Sequence, residues 1–470
     1  MRKRYFSFLF LVFAVFSFIS CHNDTSGERE STLIQAQEVA TLDSDVVNTV
    51  LLAAQNPQPT AAAEKIAKFG AKIYKVLYWT TDDKGNKVKA SGVMLLPVVE
   101  DPAIKDLYSA PIISDQHGTI FLDTEAPSNV IPKNIQEIVA YLKNPQGTPP
   151  QINPETIIAL SYTGRLGFVT LMPDYIGYGV SKDHYHPYMI ANSLANSAID
   201  LINAALDYAE QNGEAVKREV YLAGYSEGGY ATLATAKKIQ ETNQRFKVKA
   251  VFPMGGTYNL EILALGLLQQ ENMPFPPFIA YVAYAYAESY DNITLSDLIN
   301  PPFDQKIPLY FDKTKDGETI YKDMLVTVCG IINPPPAYCS DPSIIPNFKV
   351  SYLFKQTMIQ DFLTNENNPF RTDLRNNNVD NWIPAFPITF VHCEGDNILP
   401  YQLSYLTYEN FKNHGVTTEF VNPEELFGTG YLDHPNCAKP AYNYLIYSLC
   451  VNEYGQEKCG TPPWEAENEN

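Results

Sequence analysis

The spacing of hydrophobic positions divides the chain into regions where strands alternate with helices and one long region where they do not. After a polar tether, residues 33–54 repeat apolar positions at helical spacing and stop at Asn56-Pro57, which predicts an amphipathic helix. Ala71–Thr80 and Val88–Val99 then read as two strands around Asp82-Asp83-Lys84-Gly85-Asn86, a hairpin turn composition. Short apolar runs follow at Ala110–Ser114, Gly167–Pro173, the stretch leading into Gly224, and Val248–Met254. A mixture of loop and helix fills 120–165, and helical patterns cover Tyr185–Gln211 and Tyr230–Gln240. Such alternation predicts an α/β sheet, parallel apart from its opening hairpin.

The rhythm is lost from about Leu260 to Trp382, where tyrosine and proline cluster in Pro274–Phe278, Tyr281–Tyr286 and Pro334–Pro336. This stretch is expected to be a largely helical inserted cap over 258–384. It interrupts a core whose first part is 61–257 and whose second is 385–460. Strands resume at Pro387–Cys393 and Thr417–Val421, a closing helix is expected over Pro440–Cys450, and 461–470 reads as a loose tail.

Composition sets limits on partners and address. With 45% hydrophobic and 12% aromatic residues, the chain can bury a large core. Its opening Met1-Arg2-Lys3-Arg4, the apolar run Tyr5–Ile19 and then Ser20-Cys21 read as an export signal over 1–20. Phe18-Ile19-Ser20-Cys21 resembles a bacterial lipobox, so Cys21 is the expected lipid attachment site, followed by a tether and N-terminal helix over 21–60. An exported protein lipid-anchored to a bacterial membrane is the expected localisation. The formal charge of −19 disfavours nucleic acid and leaves any membrane contact to the acyl chains. Six further cysteines in an exported chain suggest disulfides, and proximity favours Cys329–Cys339 and Cys450–Cys459, leaving Cys393–Cys437. None has the spacing of a zinc site.

Candidate chemistry centres on Gly224-Tyr225-Ser226-Glu227-Gly228, preceded by a strand pattern and followed by a helical one. A serine in G-x-S-x-G between strand and helix is a nucleophile elbow. Small residues two before and two after it let strand and helix pass closely. The serine needs a base, and the base needs an orienting carboxylate, in the order serine, acid, histidine. Asp396, after the strand pattern Phe386–Val391 and the turn residue Gly395, is the expected acid, with Glu394 and Asp433 as rivals. His434 is the expected base, on a glycine-containing loop. His414 reads as the solvated end of a helix, and His184, His186 and His392 precede the acid and fit the order badly. Ile112–Thr119 ends a strand with His117-Gly118, so the N–H of Thr119, with that of Glu227, is the expected oxyanion hole. A Cys393–Cys437 bond would staple the acid and base segments together.

These features together resemble the α/β-hydrolase superfamily, over 70–257 and 384–452. Four stretches resemble its secretory lipase and esterase branch: Tyr78–Asp83 with Ala90–Val93, Gln116–Thr119, Pro173–Gly179, and Gly224–Gly229. His186-Pro187-Tyr188 after the Gly-Tyr-Gly turn belongs to the same resemblance. It implies a catalytic triad, a backbone oxyanion hole and a helical cap over an acyl pocket, acting on a small-molecule ester without metal or cofactor. Asp174 reads as a structural turn residue. An aminopeptidase-type peptidase shares fold and triad and would need cap carboxylates such as Glu288 or Asp291 for a free amine. A surface lipoprotein binding glycan or lipid on an inactive hydrolase fold is the third reading.

Overall fold

The computed structural model describes residues 30–54, 66–341, 343–344 and 346–466. Thr32 onward forms one compact unit, to which the following refers. The expected signal over 1–20 and Cys21 lie outside the described residues. A sheet of nine strands organises the unit: β1 (Leu33–Leu42), β2 (Gly70–Thr81), β3 (Lys87–Val98), β4 (Ala110–Gln116), β5 (Val169–Pro173), β6 (Val216–Tyr225), β7 (Lys247–Met254), β8 (Ile388–Val391) and β9 (Thr418–Val421). Their spatial order is β1-β2-β3-β5-β4-β6-β7-β8-β9. Pairings from β5 through β9 are parallel, whereas β1, β2, β3 and β5 meet antiparallel.

Every residue of β4 and β5 is buried, as expected of parallel strands covered on both faces. Alternation along β6 supplies two cores. Helices α1 (Ser44–Ala53) and α2 (Pro127–Lys143) precede α3 (Ala191–Asn212) and α4 (Glu227–Glu241), whose Leu201, Ile202 and Leu233 pack with Val220 and Leu222. Tyr221 and Ala223 face the other way, toward Phe252, Leu445 and Leu449.

Three expectations are corrected. The helix expected over 33–54 is a strand followed by a shorter helix, α1 (Ser44–Ala53), which begins where the Asp43 side chain accepts from the Val46 amide at 2.8 Å. β1 is an exposed edge strand with two register irregularities against β2, and those shifts break strict alternation into a spacing near three. The sheet is therefore antiparallel beyond its hairpin. The helix expected over Tyr185–Gln211 starts only at Ala191, which leaves His186–Tyr188 in a loop.

Between β7 and β8 the chain forms α5 (Leu260–Leu268), α6 (Pro276–Ser289), α7 (Phe303–Tyr310), α8 (Gly317–Ile331), α9 (Gln356–Thr364) and α10 (Pro369–Asn376). Disulfides join Cys329–Cys339, Cys393–Cys437 and Cys450–Cys459, the pairing that proximity favours. Within the expected loose tail, Trp464 packs on Phe427, Tyr444 and Tyr447. Among the described residues, no helix is long and apolar enough to cross a membrane.

Candidate active site

Ser226 joins β6 to α4 with φ +62° and ψ −121°, a strained conformation for any residue but glycine. Its amide is tied to the carbonyl of Met254 on β7 at 2.9 Å. The flanking glycines are required by contact. A Cβ on Gly224 would stand 2.5 Å from the Gln116 carbonyl oxygen, and one on Gly228 only 1.8 Å from it. This close passage sets the elbow against the end of β4, beneath the loop His117–Thr119.

Two distant segments bring a histidine and a carboxylate to Ser226. His434 Nε2 lies 2.8 Å from Ser226 Oγ, and His434 Nδ1 lies 2.5 Å from Asp396 Oδ2. Asp396 Oδ1 accepts from the amides of Ile398 and Leu399 at 2.9 and 2.8 Å. Burial pushes the Asp396 carboxyl up, but hydrogen bonds and charges from His392 and His434 outweigh it and hold the group well below the usual carboxylate range. Of the rival acids, Asp433 caps a helix, accepting from the Asn436 amide at 3.1 Å, and Glu394 contributes its amide to Glu424. His414 bonds the Asn410 carbonyl at an exposed helix end.

His434 is not on a loop. It is the first residue of α12 (His434–Tyr454), counting α11 (Tyr401–Asn413) before it. Asp433 as cap and Pro435 in the first turn start this helix, and Pro440, where a start was expected, lies in its interior. The His434 imidazole thus has a helix behind it. Tyr225 donates to the His434 carbonyl at 2.6 Å, and the His434 amide reaches Asn397 Oδ1 at 3.2 Å.

Sequence reasoning missed three residues of this assembly. His392 is wholly buried, with Nε2 3.1 Å from Asp396 Oδ2 and Nδ1 2.7 Å from Ser404 Oγ. Glu424 accepts from the amides of Glu394, Gly395 and Leu432 at 2.9, 3.0 and 2.6 Å, tying the turn before Asp396 to the approach to His434. The Cys393–Cys437 disulfide ties the same two segments. His186 Nε2 lies 2.9 Å from Glu227 Oε1. His186 and His392 fit the chain order of a base badly, but that order does not bear on a histidine serving a carboxylate; the i, i+4 spacing of His392 and Asp396 was the available signal.

On the other side of Ser226, Thr119 and Glu227 line the same pocket as the serine. A Cβ on Gly118 would meet the Tyr225 carbonyl oxygen at 3.2 Å, so the loop bearing Thr119 rests on the elbow. Thr119 Oγ1 bonds the Tyr188 hydroxyl at 2.8 Å. Both ring nitrogens of His117 face backbone carbonyls, and Asp174 accepts from Ser91 and Ser128, so each joins neighbouring segments. Beyond the serine the pocket runs between Leu263 and Leu267 of α5, Phe278 and Val282 of α6, and Phe370 and Leu374 of α10. No group of three or more His, Cys, Asp or Glu among the described residues could hold a metal.

No protein-family model matches the chain, and no curated protein matches it in sequence. Solved structures do. A Legionella pneumophila protein assigned as a hydrolase superposes with a TM-score of 0.70 at 22% identity, covering 90% of this chain and 98% of its own. The rice cell wall degrading esterase LipA from Xanthomonas oryzae gives 0.64 at 21%, covering 91% and 96%. Candida antarctica lipase A gives 0.55 at 16%, covering 88% and 82%. With the strand order, the elbow after β6 and these superpositions, the chain has the α/β-hydrolase fold.

Proposed function

We propose that the protein is a serine hydrolase of carboxylic esters. The observation that carries this is the hydrogen-bonded path from Ser226 through His434 to Asp396, at the mouth of an apolar pocket. Ser226 Oγ attacks the acyl carbonyl while His434 Nε2 takes its proton and returns it to the leaving alcohol. Asp396 holds Nδ1–H and so fixes the tautomer. The amides of Glu227 and Thr119 bind the tetrahedral oxyanion, and water then cleaves the acyl-enzyme.

The leucine and phenylalanine lining supports an acyl chain longer than acetyl as the group that enters. A free amine would need an acidic partner there; neither Glu288 nor Asp291 is among the lining residues, and the carboxylate that does line the pocket, Glu227, is bonded to His186. Anchoring at Cys21 is part of the proposal, and three disulfides support an extracytoplasmic address. Incorporation of an alkyne-tagged fatty acid, lost in Cys21→Ala, tests the anchor.

A fluorophosphonate probe should label the wild-type protein and not Ser226→Ala. Folded wild-type protein that stays unlabelled would favour a binding module. Hydrolysis of p-nitrophenyl acyl esters should exceed that of aminoacyl-p-nitroanilides, and the reverse order would favour the peptidase.

A further inference from the structure

The residue directly after Ser226 is a glutamate whose side chain is only 1% exposed and which helps line the pocket. A buried carboxylate there opposes the proposed chemistry, since the amide of the same residue is to stabilise a negatively charged oxygen. At an effective dielectric near 20, an uncompensated charge about 6 Å away would slow the reaction on the order of 100-fold.

The structure sets His186 against that carboxylate, also 1% exposed, with Nε2 2.9 Å from Oε1. The other ring nitrogen, Nδ1, lies 2.8 Å from the carbonyl of Ile176, which can only accept, so Nδ1 carries hydrogen. A proton must also lie between Nε2 and Oε1. Whether nitrogen or oxygen holds it, the pair has no net charge.

We propose that His186 is a positioning residue for the reaction: it cancels the charge of Glu227 and holds the first turn of α4, and with it the Glu227 amide, in register. It rests on the oxyanion role proposed for that amide.

Several contacts fix the ring. Gly177 has φ +97°, and a Cβ there would stand 2.5 Å from the His186 Cα, so glycine permits the approach. Tyr175, Tyr178, Tyr188 and Tyr281 surround the imidazole with ring centroids 5.0 to 5.9 Å away. Tyr188, two residues on, bonds Thr119, the residue of the other proposed donor. One loop, His186-Pro187-Tyr188, therefore supports both sides of the proposed oxyanion hole.

The test compares kcat and KM on a p-nitrophenyl ester for wild type, His186→Ala, Glu227→Gln and the double variant, with thermal unfolding and fluorophosphonate labelling alongside. His186→Ala should lose about 100-fold in kcat with KM little changed, because the carboxylate is left without its counter-proton. Adding Glu227→Gln removes the charge and should recover at least tenfold of that loss, although it is a second substitution in the same buried cluster. Glu227→Gln alone should lose less than His186→Ala. A purely structural role predicts the opposite: a folded double variant as slow as His186→Ala, or slower. That result overturns the proposal, as does a folded His186→Ala with wild-type kcat. Should His186→Ala not fold, His186→Gln replaces it, keeping a donor toward Glu227 without a proton to share, and the same rescue is expected. Wild-type protein that neither labels nor hydrolyses ester overturns the esterase reading and this one together. Labelling without rescue overturns this one alone.

Discussion

The two walls facing each other across Ser226 follow opposite rules. On the sheet side, polar groups are held by protein partners: Asp396 by two imidazoles and two amides, Glu424 by three amides, Glu227 by His186. On the helical side, α5 reads Leu-Glu-Ile-Leu-Ala-Leu-Gly-Leu-Leu, yet only its end residues Leu260 and Leu268 are fully buried. Its middle borders the cavity. Partnered dipoles keep a reacting geometry fixed, whereas an apolar wall fixes only size and polarity. The lesson is a division of labour. Changes on the sheet side should alter kcat, and changes on the helical side should alter which ester is preferred.

The hardest test of that division is His434→Ala. It should lower kcat on the order of 10⁴-fold or more, the scale seen when one member of a triad is removed, and leave the ranking of acyl chain lengths as it was. A changed ranking at modest loss of rate would show that the two walls are not independent. Second in size is His392→Ala, which deletes one donor to a buried carboxylate. A hydrogen bond to a charged group contributes about 1.5–3 kcal/mol, so a kcat loss of roughly 10- to 150-fold with steady KM is expected. The same contact has a pH signature. Because folding holds the Asp396 carboxyl below its ordinary value, its stabilising contribution is complete above that value and is lost as pH falls through the folded one. Urea midpoints of wild type and Asp396→Asn should thus keep a constant gap from neutrality down to about pH 5, and the gap should shrink below about pH 4.

How legible each wall was in the sequence follows from the same contrast. Ser226, Asp396 and His434, which the fold brings within hydrogen-bond reach, could be named as candidates because strand, turn glycine and chain order constrain them locally, and the parallel strands read as plain apolar runs. β1 could not be read, because an exposed edge strand with bulges carries no clean period. The start of α12 lies upstream of the expected Pro440, because the Asp433 cap and a proline in the first turn begin the helix there and Pro440 is accommodated in its interior. His392, His186 and Glu424 stayed hidden for a different reason. His186 and Glu424 meet groups 41 and about 30 positions away, which only the fold brings near, whereas His392 stands four positions from Asp396, a spacing that does carry a signal.

A substitution on the helical side comes next. Leu263→Trp would fill part of the cavity between α5 and α6. Octanoyl ester hydrolysis should fall about tenfold relative to that of the acetyl ester, in line with the 1–3 kcal/mol by which an apolar pocket discriminates chain length. Equal losses on both esters would mean that the chain lies elsewhere, and the contrast between the walls would lose its functional meaning.

The smallest expected effect falls where the walls meet. Tyr188 stacks on Tyr281 of α6, with centroids 4.7 Å apart and planes 12° apart, while its hydroxyl bonds Thr119 on the loop after β4. Tyr188→Phe keeps the stack and removes only that bond. A neutral hydrogen bond contributes about 1 kcal/mol net, which sets the scale of the loss at about fivefold. If the bond serves to hold the Thr119 amide for the oxyanion, the loss should fall on kcat, and affinity for a trifluoromethyl ketone analogue of the tetrahedral intermediate should weaken by the same factor. If the bond only shapes the pocket mouth, KM should rise and the analogue should lose no more than the substrate does. Because the aromatic contact is common to both proteins, the split between kcat and KM separates a tyrosine that supports the polar wall from one that belongs to the apolar wall.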